Sequence, residues 1–240
     1  MATVEQIYET VDIIHTADSL RREGFGVIPP QQYRIDFEEE FCELWRQVER
    51  YTMISMERGY SIYKAVEYLE KNGISGSFVE CGVWKGGASM MMALSLRAFG
   101  ASLRRIYLYD TFAGMTAPSE DDRIAWNGTL VSDNMERFRN WAVPKAEVMS
   151  NFSRVDYPME LVLPVQGDVM EMLRRTAPDE IALLRLDTDW YESTAEELQV
   201  LYPRLRRGGV LLVDDYGHFT GARKAVDEYF AEGGPLLHRD

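Results

Sequence analysis

The sequence lacks the features that mark disulfide-rich and membrane-spanning proteins. Its 240 residues include only two cysteines, which excludes a disulfide framework, and we expect Cys42 and Cys81 to be reduced core residues. No run of about 18 apolar residues occurs, so a transmembrane helix is not expected. The acidic amino terminus also lacks the pattern of a signal peptide. We therefore expect a cytoplasmic protein that does not interact with membranes.

Basic residues are also scarce, with 26 lysines and arginines against 39 aspartates and glutamates and a formal charge of −13. A field of this sign repels phosphate backbones, so we expect no nucleic-acid partner. The hydrophobic fraction of 46% is ordinary for globular proteins. The length suits one sizeable α/β domain and is short for two.

Helices are predicted over residues 1–75, and strands alternate with helices after them. The patterns of Val4–Leu20, Asp36–Tyr51 and Ser61–Asn72 are helical. From Ser77 onward, helical stretches separate five short apolar strands: SFVECG, RIYLYD, ELVLPVQGD, IALLRLD and VLLVDD. Near-continuous apolar strands of this kind predict an α/β fold with a doubly wound, mostly parallel sheet. The helical N-terminal segment would pack on the same domain.

Two long segments interrupt this alternation. Thr111–Asp133 is polar and contains the acidic run Ser119–Asp122, and Trp141–Pro158 is a second insert. Loops of this length in a compact domain are usually functional or mobile. One common role of such loops is to form a lid over an active site.

The end of the first strand combines an acidic residue with glycines. In doubly wound sheets the ligand binds beyond the carboxyl ends of the strands. Here Glu80 precedes Gly82, and a helix starts near Gly87. This is not the G-x-G-x-x-G turn of dinucleotide-binding proteins, and Glu80 would repel a pyrophosphate. A carboxylate suits the ammonium group of S-adenosylmethionine, whose own carboxylate the helix-start amides can receive.

The next two strands also end in carboxylates. Asp110 can accept hydrogen bonds from both hydroxyls of a ribose, and Asp168, after Gly167, can accept one from an adenine amino group. Each alone has an ordinary alternative, a turn for Asp110 and a helix N-cap for Asp168. Three acidic strand ends in this order favour a cofactor site. The adjoining segments contribute further candidate cofactor contacts: Val83, Trp84, Ser89, Thr111 and Phe112.

Four aspartates follow the fourth and fifth strands, in LLRLDTDWYEST and VLLVDDYGHF. Neighbouring strands lie roughly 4.8 Å apart, so we expect Asp187, Asp189, Asp214 and Asp215 to converge. Carboxylates this close must be protonated or bind a cation. Oxygen ligands without cysteine favour Mg²⁺, with Ca²⁺ or Mn²⁺ as alternatives. We predict Asp187, Asp214 and Asp215 as the metal ligands.

A divalent cation at this edge suits methyl transfer to a hydroxyl group. Coordination lowers the pKa of an alcohol and fixes its oxygen beside the sulfonium methyl. A nearby carboxylate can then take the proton. We predict Asp189 as this general base, with His218 as its rival.

Several of these residues also have ordinary structural interpretations. The pair Asp214–Asp215 can cap the next helix, and His218 can be a loop histidine or support a ligand. Trp190 and Tyr191 either line the acceptor pocket or pack in the core. We predict the Glu196–Glu197 pair on a solvated helix face.

The sequence resembles the macrocin O-methyltransferase family of bacterial enzymes that tailor natural products. The resemblance extends over about Arg50–Phe230 and rests on these segments: RYTMISMERGYSIYKAVEYL, FVECGVWKGGASM, YLYDTFAGM, LDTDWYEST and LYPRLRRGGVLLVDDYGHFTGARKAVDEYF. It implies the Rossmann-like fold of class I S-adenosylmethionine-dependent methyltransferases over residues 76–240. It also implies Mg²⁺-dependent transfer of a methyl group to a sugar hydroxyl of a glycosylated small molecule, in antibiotic biosynthesis.

The resemblance implies roles for individual residues as well. By motif position, Asp187, Asp214 and Asp215 match the metal ligands and Asp189 the proposed base, while Glu80, Gly82, Asp110 and Asp168 match cofactor-site positions. Thr52 and Met53 match a stretch that closes over the cofactor. A homo-oligomer is favoured. The family's sheet normally finishes with an antiparallel hairpin, whereas GGPLLHRD has room for one short strand at most.

Three other functions compete with this interpretation. A methyltransferase acting on catechols or other phenols uses a similar sheet and an acidic metal site. A nicotinamide-dependent oxidoreductase would carry G-x-G-x-x-G where Glu80-x-Gly82 stands. A cofactor-binding scaffold without catalysis would be indicated by the loss of an aspartate from the cluster, and all four are present.

Overall fold

A computed structural model of the protein describes residues 38–101 and 103–234. Five parallel strands form one sheet in the order β3-β2-β1-β4-β5. This confirms the predicted doubly wound sheet. The strands are β1 Ser77–Cys81, β2 Ile106–Asp110, β3 Val162–Gln166, β4 Ile181–Leu186 and β5 Leu205–Val213.

Seven α-helices occur in the described part of the chain, and they cover both faces of the sheet. They are α1 Glu39–Val48, α2 Met56–Lys71, α3 Gly87–Ala98, α4 Lys145–Phe152, α5 Val169–Thr176, α6 Tyr191–Leu201 and α7 Thr220–Tyr229. One large core contains buried side chains of α1 to α4 and of the sheet. A second core joins the opposite face of the sheet to α5, α6 and α7. Burial of both faces explains the near-continuous apolar character of the strands.

The register of the sheet determines which strand ends meet. Cys81 of β1 is paired with Leu186 of β4, and Leu186 is paired with Val213 of β5. The residues that follow these three positions therefore emerge side by side at the carboxyl edge. Asp187 and Asp214 are among them, and the backbone N–H of Asp214 donates to the carbonyl oxygen of Leu186 at 3.0 Å.

The helices before the sheet differ from their predicted bounds. The predicted helix Val4–Leu20 lies outside the described residues. The one predicted at Asp36–Tyr51 is α1, followed by a 3₁₀ turn at Glu49–Tyr51. The prediction of Ser61–Asn72 was too short, because Ser55 accepts a hydrogen bond from the backbone N–H of Arg58 and starts α2 at Met56.

The two inserts are more structured than their polarity suggests. Trp141–Pro158 was predicted as a loop, but it contains α4, whose Val148 and Phe152 are fully buried one turn apart. The first insert runs into a 3₁₀ segment at Val131–Trp141. Buried side chains of the first insert, of this 3₁₀ segment and of the segments after β4 and β5 form a third core cluster: Ile124, Val131, Phe138, Trp190 and Phe219.

Both cysteines have free thiols, as predicted, although Cys42 is only partly buried while Cys81 is fully buried. Among the described residues, none of the helices has the length and apolar character needed to cross a bilayer.

Candidate active site at the carboxyl edge of the sheet

A cavity of about 330 Å³ opens at the carboxyl ends of the strands. This volume lies within the usual range for small-molecule sites. The cavity brings together most of the residues predicted from the sequence. The predicted residues that line it are Thr52, Met53, Glu80, Gly82, Val83, Trp84, Asp110, Thr111, Gly167, Asp168, Asp187, Asp189, Asp214, Asp215 and His218.

Three predicted cofactor contacts do not line the cavity. Gly87 starts α3 but packs against Tyr51, since an added Cβ would lie 2.6 Å from the Tyr51 backbone. Ser89 is buried below the cavity and donates to Glu80. Phe112 is buried in the large core, and only its backbone N–H reaches the site, where it donates to Asp110 at 2.7 Å. These three residues pack around the site without lining the cavity.

Gly82 brings the ends of β1 and β4 into direct contact. Its φ of 82° lies in the left-handed region, and an added Cβ would lie 2.0 Å from the carbonyl oxygen of Asp187. Glycine is therefore required both for the backbone conformation and for the close approach. The turn that follows lines the cavity with Val83 and Trp84.

Asp110 organises that turn through both of its carboxylate oxygens. One oxygen accepts from the backbone N–H groups of Val83 at 2.7 Å and Trp84 at 3.2 Å, and the other accepts from Phe112. Trp84 and Phe112 have φ values of 47° and 52°, which cost free energy in residues other than glycine. The carboxylate that we predicted to bind a ribose thus also stabilises the strained turns around it.

The end of β3 combines its predicted carboxylate with a helix cap. The side chain of Asp168 accepts from the backbone N–H of Met170 at 2.9 Å and so caps α5. Both Asp168 and Gly167 line the cavity. The cap fixes the carboxylate at the cavity wall, and the predicted contact with adenine stays a prediction.

The segment before α2 also lines the cavity. Thr52, Met53 and Ile54 line it, and the backbone N–H of Ile54 donates to the Thr52 hydroxyl at 3.3 Å. Met53 is 54% exposed although it is apolar. The predicted closure of this segment over the cofactor stays a prediction.

The predicted aspartate cluster is present. One carboxylate oxygen from each of Asp187, Asp214 and Asp215 lies within 4.8 Å of the others, and no second group of this kind occurs among the described residues. Asp189 adjoins the group, since its carboxyl is a hydrogen-bonding neighbour of Asp215. The convergence follows from the pairing of β4 with β5.

Two arginines belong to the cluster and were missed in the sequence. Arg185, 3% exposed at its side chain, lies 2.8 Å from Asp187 and 3.1 Å from Asp214. Arg58, from the first turns of α2, lies 3.0 Å from the other oxygen of Asp214. A signal for Arg185 was available, because an arginine inside the apolar strand IALLRL needs buried carboxylates around it. No such signal was available for Arg58, because its partner Asp214 is 156 residues away in the sequence.

Glu80 is the third carboxylate partner of Arg185. It is 1% exposed, and it lies 2.5 Å from the Arg185 guanidinium while its other oxygen accepts from Ser89. Burial raises the pKa of Glu80, against the lowering effect of Arg185. The proposed contact of Glu80 with a ligand ammonium therefore competes with an existing buried ion pair.

The pKa values of Asp187 and Asp214 are shifted in opposite directions. Burial raises the pKa of Asp187 well above its ordinary value, against Arg185, and Asp214 and Asp215 raise it further. Burial opposes ionisation of Asp214 too, but Arg185 and Arg58 bring its pKa below the ordinary value. Asp214 contacts two arginines and Asp187 only one, which accounts for the opposite directions of their pKa shifts.

The two candidate bases have opposite shifts. Burial and then the charge of Asp215 raise the pKa of Asp189 well above its ordinary value. Burial lowers the pKa of His218, despite Asp215. The His218 ring also packs edge-on against Trp126 and Phe219, with centroids 4.6 and 4.5 Å apart. Asp189 is 6% exposed and has a φ of 70°, which marks a backbone conformation held by its surroundings.

Aromatic and apolar side chains line another part of the cavity. Met115, Trp141 and Phe219 line it and belong to the third core cluster. Trp190 packs behind them, 5.2 Å from the Phe219 ring, and is 2% exposed. Of the two alternatives for Trp190, packing is therefore correct, and Tyr191 does not line the cavity either.

The prediction that Glu196 and Glu197 lie on a solvated helix face was wrong. Glu196 is 7% exposed and pairs with Arg174, and Glu197 is fully buried and accepts from the Thr188 hydroxyl at 2.9 Å. Glu197 lies on the face of α6 that packs against the loop after β4. It contacts Thr188 of that loop, and Thr188 lines the cavity. Burial raises the pKa of Glu197 to about 8, against hydrogen bonds from Thr188 and Cys81.

Comparison with known sequences gives one family over most of the chain. A sequence profile described as Macrocin-O-methyltransferase (TylF) matches residues 34–234. Demethyldecarbamoylnovobiocin O-methyltransferase of Streptomyces niveus is 36% identical over 182 residues, 76% of this chain and 68% of that protein. The 8-demethyl-8-(2,3-dimethoxy-alpha-L-rhamnosyl)-tetracenomycin-C 4'-O-methyltransferase of Streptomyces olivaceus is 34% identical over 179 residues, 75% of this chain and 67% of that protein.

Solved structures show the same fold. The O-methyltransferase NovP superposes with a TM-score of 0.68 at 36% identity, covering 76% of this chain and 74% of that one. The calicheamicin methyltransferase CalS11 superposes with a TM-score of 0.59 at 21% identity, covering 99% of this chain and 90% of that one. The sheet and its helices therefore have the class I methyltransferase arrangement, as predicted.

Proposed function

Because the chain belongs to the macrocin O-methyltransferase family, and is therefore an O-methyltransferase, we propose that it methylates a sugar hydroxyl of a glycosylated natural product. S-adenosylmethionine would be the methyl donor and Mg²⁺ the metal. The observation that carries this proposal is the convergence of Asp187, Asp214 and Asp215, with Asp189 beside them, in one cavity with the predicted donor site. Its relatives' names describe O-methyltransferases of glycosylated antibiotics.

The donor would lie along the ends of β1, β2 and β3. Gly82 leaves the backbone open to close approach, and Asp110 and Asp168 are fixed at the wall by their backbone partners. Carboxylates held in this way can accept hydrogen bonds without reorganising. Thr52 and Met53 would cover the donor from the side of α2. When bound, S-adenosylmethionine supplies an electrophilic methyl group.

The three clustered aspartates fit a hard divalent cation. They offer only oxygen ligands, within 4.8 Å of one another, which is the donor set that Mg²⁺ prefers. Asp187, Asp214 and Asp215 would hold it, with Arg58 as the partner that Asp214 can most easily release, since its side chain is 43% exposed. A bound divalent cation supplies a Lewis acid that lowers the pKa of an alcohol.

Asp189 would act on the acceptor as general base. Its carboxylate would take the hydroxyl proton as the acceptor oxygen gains the methyl group, and the donor sulfur would keep the electron pair of its broken bond to that methyl. Burial and Asp215 raise the pKa of Asp189, which makes it a stronger base than an exposed aspartate. His218 lines the same cavity, but burial lowers its pKa and so weakens it as a base.

The acceptor would enter between the carboxylates and the wall formed by Met115, Trp141 and Phe219. A sugar has polar edges for the carboxylate side, and its C–H faces pack on aromatic rings. The glycosyl acceptors in the names of the relatives support this class. A small phenol is the second candidate, because the same apolar wall can pack on an aromatic acceptor.

A transfer assay with a labelled methyl group tests the proposal. Purified protein, Mg²⁺ and methyl-labelled S-adenosylmethionine are incubated with rhamnosylated and other deoxysugar-bearing aglycones, with the free aglycones, and with catechols. We expect label on a sugar oxygen of at least one glycoside and none on its free aglycone. If label appeared on catechols alone, phenols would take the place of sugars as the proposed class of acceptor. Failure to bind the donor in calorimetry would contradict the proposal as a whole.

A further inference from the structure

Asp122, in the first insert, is a buried carboxylate outside the cavity. It is fully buried, and three donors surround it. One oxygen accepts from the backbone N–H of Ser119 at 2.6 Å and from its hydroxyl at 2.9 Å, and the other accepts from the backbone N–H of Tyr191 at 2.8 Å. No ion pair with Asp122 is present among the described residues. A buried anion held only by neutral donors needs all of them.

The bond to Tyr191 places this carboxylate at the start of α6. Tyr191 is the first residue of the helix, where backbone N–H groups have no partner within the helix. Trp190, which precedes it, makes no side-chain cap. The insert therefore supplies the cap that the helix lacks, and a carboxylate is favoured there by the helix dipole.

The same turn carries Asp189, two residues before Tyr191. Asp189 has a φ of 70°, and the insert holds the residues after it at two points. The indole N–H of Trp190 donates to the carbonyl oxygen of Thr116 at 3.1 Å, and the backbone N–H of Tyr191 donates to Asp122. Thr116 and Asp122 belong to the same insert, so the insert makes two hydrogen bonds to the residues that directly follow Asp189.

Gly221 confirms how closely these segments are packed. An added Cβ at Gly221 would lie 1.8 Å from the Asp122 carboxylate and 2.8 Å from the backbone nitrogen of Tyr191. The start of α7 must therefore be a glycine for Asp122 to reach α6. The φ of Gly221 is outside the left-handed region. Glycine is therefore required at this position because no side chain fits there, and not because of its backbone conformation.

The insert is itself fixed to the loop after β5. The backbone N–H of Ala125 donates to the carbonyl oxygen of His218 at 2.9 Å, and that of Thr220 donates to Arg123 at 2.9 Å. The Thr220 hydroxyl donates to the carbonyl oxygen of Asp121 at 2.7 Å. The insert, predicted as a possible lid, thus forms a fixed bridge between the loop that follows Asp215 and the turn that carries Asp189.

We propose that Asp122 is a positioning residue that holds Asp189 in its left-handed conformation at the acceptor site. The proposal rests on the proposed function, in which Asp189 takes the acceptor proton. Asp122 does not touch the cavity, so it acts only through Tyr191 and the turn before it. A shift of the base by about 1 Å is enough to lower turnover on the order of 100-fold.

Two variants disturb this contact in different ways. Asp122→Asn keeps the shape of the side chain but replaces one carboxylate oxygen by an amide N–H₂ group. Because this group cannot accept a hydrogen bond, either Ser119 or Tyr191 loses its acceptor. Gly221→Ala leaves the carboxylate intact and displaces it with a methyl group. Asp121→Asn is the matched control, because its side chain makes an exposed ion pair with Lys224 and has no bond to the turn.

The first readout is hydrogen exchange of the peptide that contains Asp187 to Glu192, which needs no activity. We expect exchange at least about tenfold faster in Asp122→Asn and Gly221→Ala, with the β1 peptide unchanged and Asp121→Asn like the wild type. Unchanged exchange of this peptide in both variants would overturn the proposal.

The second readout is turnover with saturating donor. We expect kcat to fall about 10- to 100-fold in both variants, while the Kd of S-adenosylmethionine stays within about twofold. An unchanged kcat, or a loss of donor affinity equal to the loss of kcat, would overturn the proposal because the effect would then not be specific to Asp189. Absence of turnover in the wild type would contradict the proposed function instead, and the exchange measurement would still decide the role of Asp122.

Discussion

Arg185 lies 2.5 Å from Glu80, and the two side chains are 3% and 1% exposed. This buried ion pair connects β1 to β4 at the wall of the cavity, which both residues line. Because the same guanidinium group reaches Asp187 and Asp214, it joins the donor end of the site to the predicted metal ligands. Arg185 thus places one positive charge next to Asp187 and Asp214, where it reduces their mutual repulsion.

Replacement of Arg185 by methionine should destabilise the fold strongly. The change leaves Glu80 buried without its cation, and breaking a buried pair in this way costs about 3–5 kcal/mol. Urea unfolding measures the free energy. Arg206→Met is the matched control, because Arg206 and its partner Glu180 are about half exposed and such pairs contribute about 1 kcal/mol or less. Equal losses in the two variants would contradict the role given to Arg185.

Asp189→Asn should abolish most turnover without unfolding the protein. Asparagine also tolerates the left-handed backbone, so the variant removes the proton acceptor and keeps the turn. We expect a loss on the order of 100-fold to 10,000-fold in kcat, with donor affinity unchanged. Stopped-time assays of S-adenosylhomocysteine release measure it.

His218→Gln distinguishes the rival base. Glutamine keeps polarity and much of the volume beside Trp126 and Phe219, and we expect less than about a tenfold loss of kcat because Asp189 still takes the proton. A greater loss in His218→Gln than in Asp189→Asn would assign the base to the histidine.

Glu197 should make stability fall as pH rises. Its pKa is about 8 in the folded protein and 4.5 ordinarily. Between these values the unfolded chain releases the proton while the folded protein keeps it, so the free energy of unfolding decreases with pH. The full effect is roughly 3–5 kcal/mol, at about 1.4 kcal/mol per pKa unit.

Glu197→Gln removes this dependence, because a neutral amide replaces the protonated acid. The variant should therefore be more stable than the wild type at pH 8, and the two should converge near pH 4.5. Chemical denaturation at several pH values measures the difference. Glu192→Gln on the exposed side of α6 is the control and should keep the wild-type slope. A wild-type slope in Glu197→Gln would contradict the assignment.

The sheet and the aspartate cluster could be predicted because both depend on local patterns. Strands with continuous apolar residues indicate burial on both faces, and their order of carboxylate ends follows from the parallel topology. Asp187 and Asp214 meet because β4 and β5 are neighbours, which we expected from the methyltransferase variant of this sheet.

What could not be predicted depends on contacts between distant segments. Glu197 follows Glu196 in a pattern typical of surface residues, but the loop after β4 covers its side chain. The periodicity of the helix cannot indicate that this loop packs there. Arg58 meets Asp214 only after α2 packs on the sheet. Asp122 belongs to an acidic run that resembles a solvated loop, and its burial depends on Gly221, 99 residues later in the chain.

The central claim is that clustered aspartates hold a divalent cation needed for methyl transfer. The most direct measurement follows the release of S-adenosylhomocysteine while the glycoside acceptor is methylated, in EDTA and after addition of Mg²⁺, for the wild type and for Asp215→Asn. We expect turnover to vanish in EDTA, to return with Mg²⁺, and to need far more Mg²⁺ in the variant. Turnover that is indifferent to EDTA in the wild type would contradict the metal site.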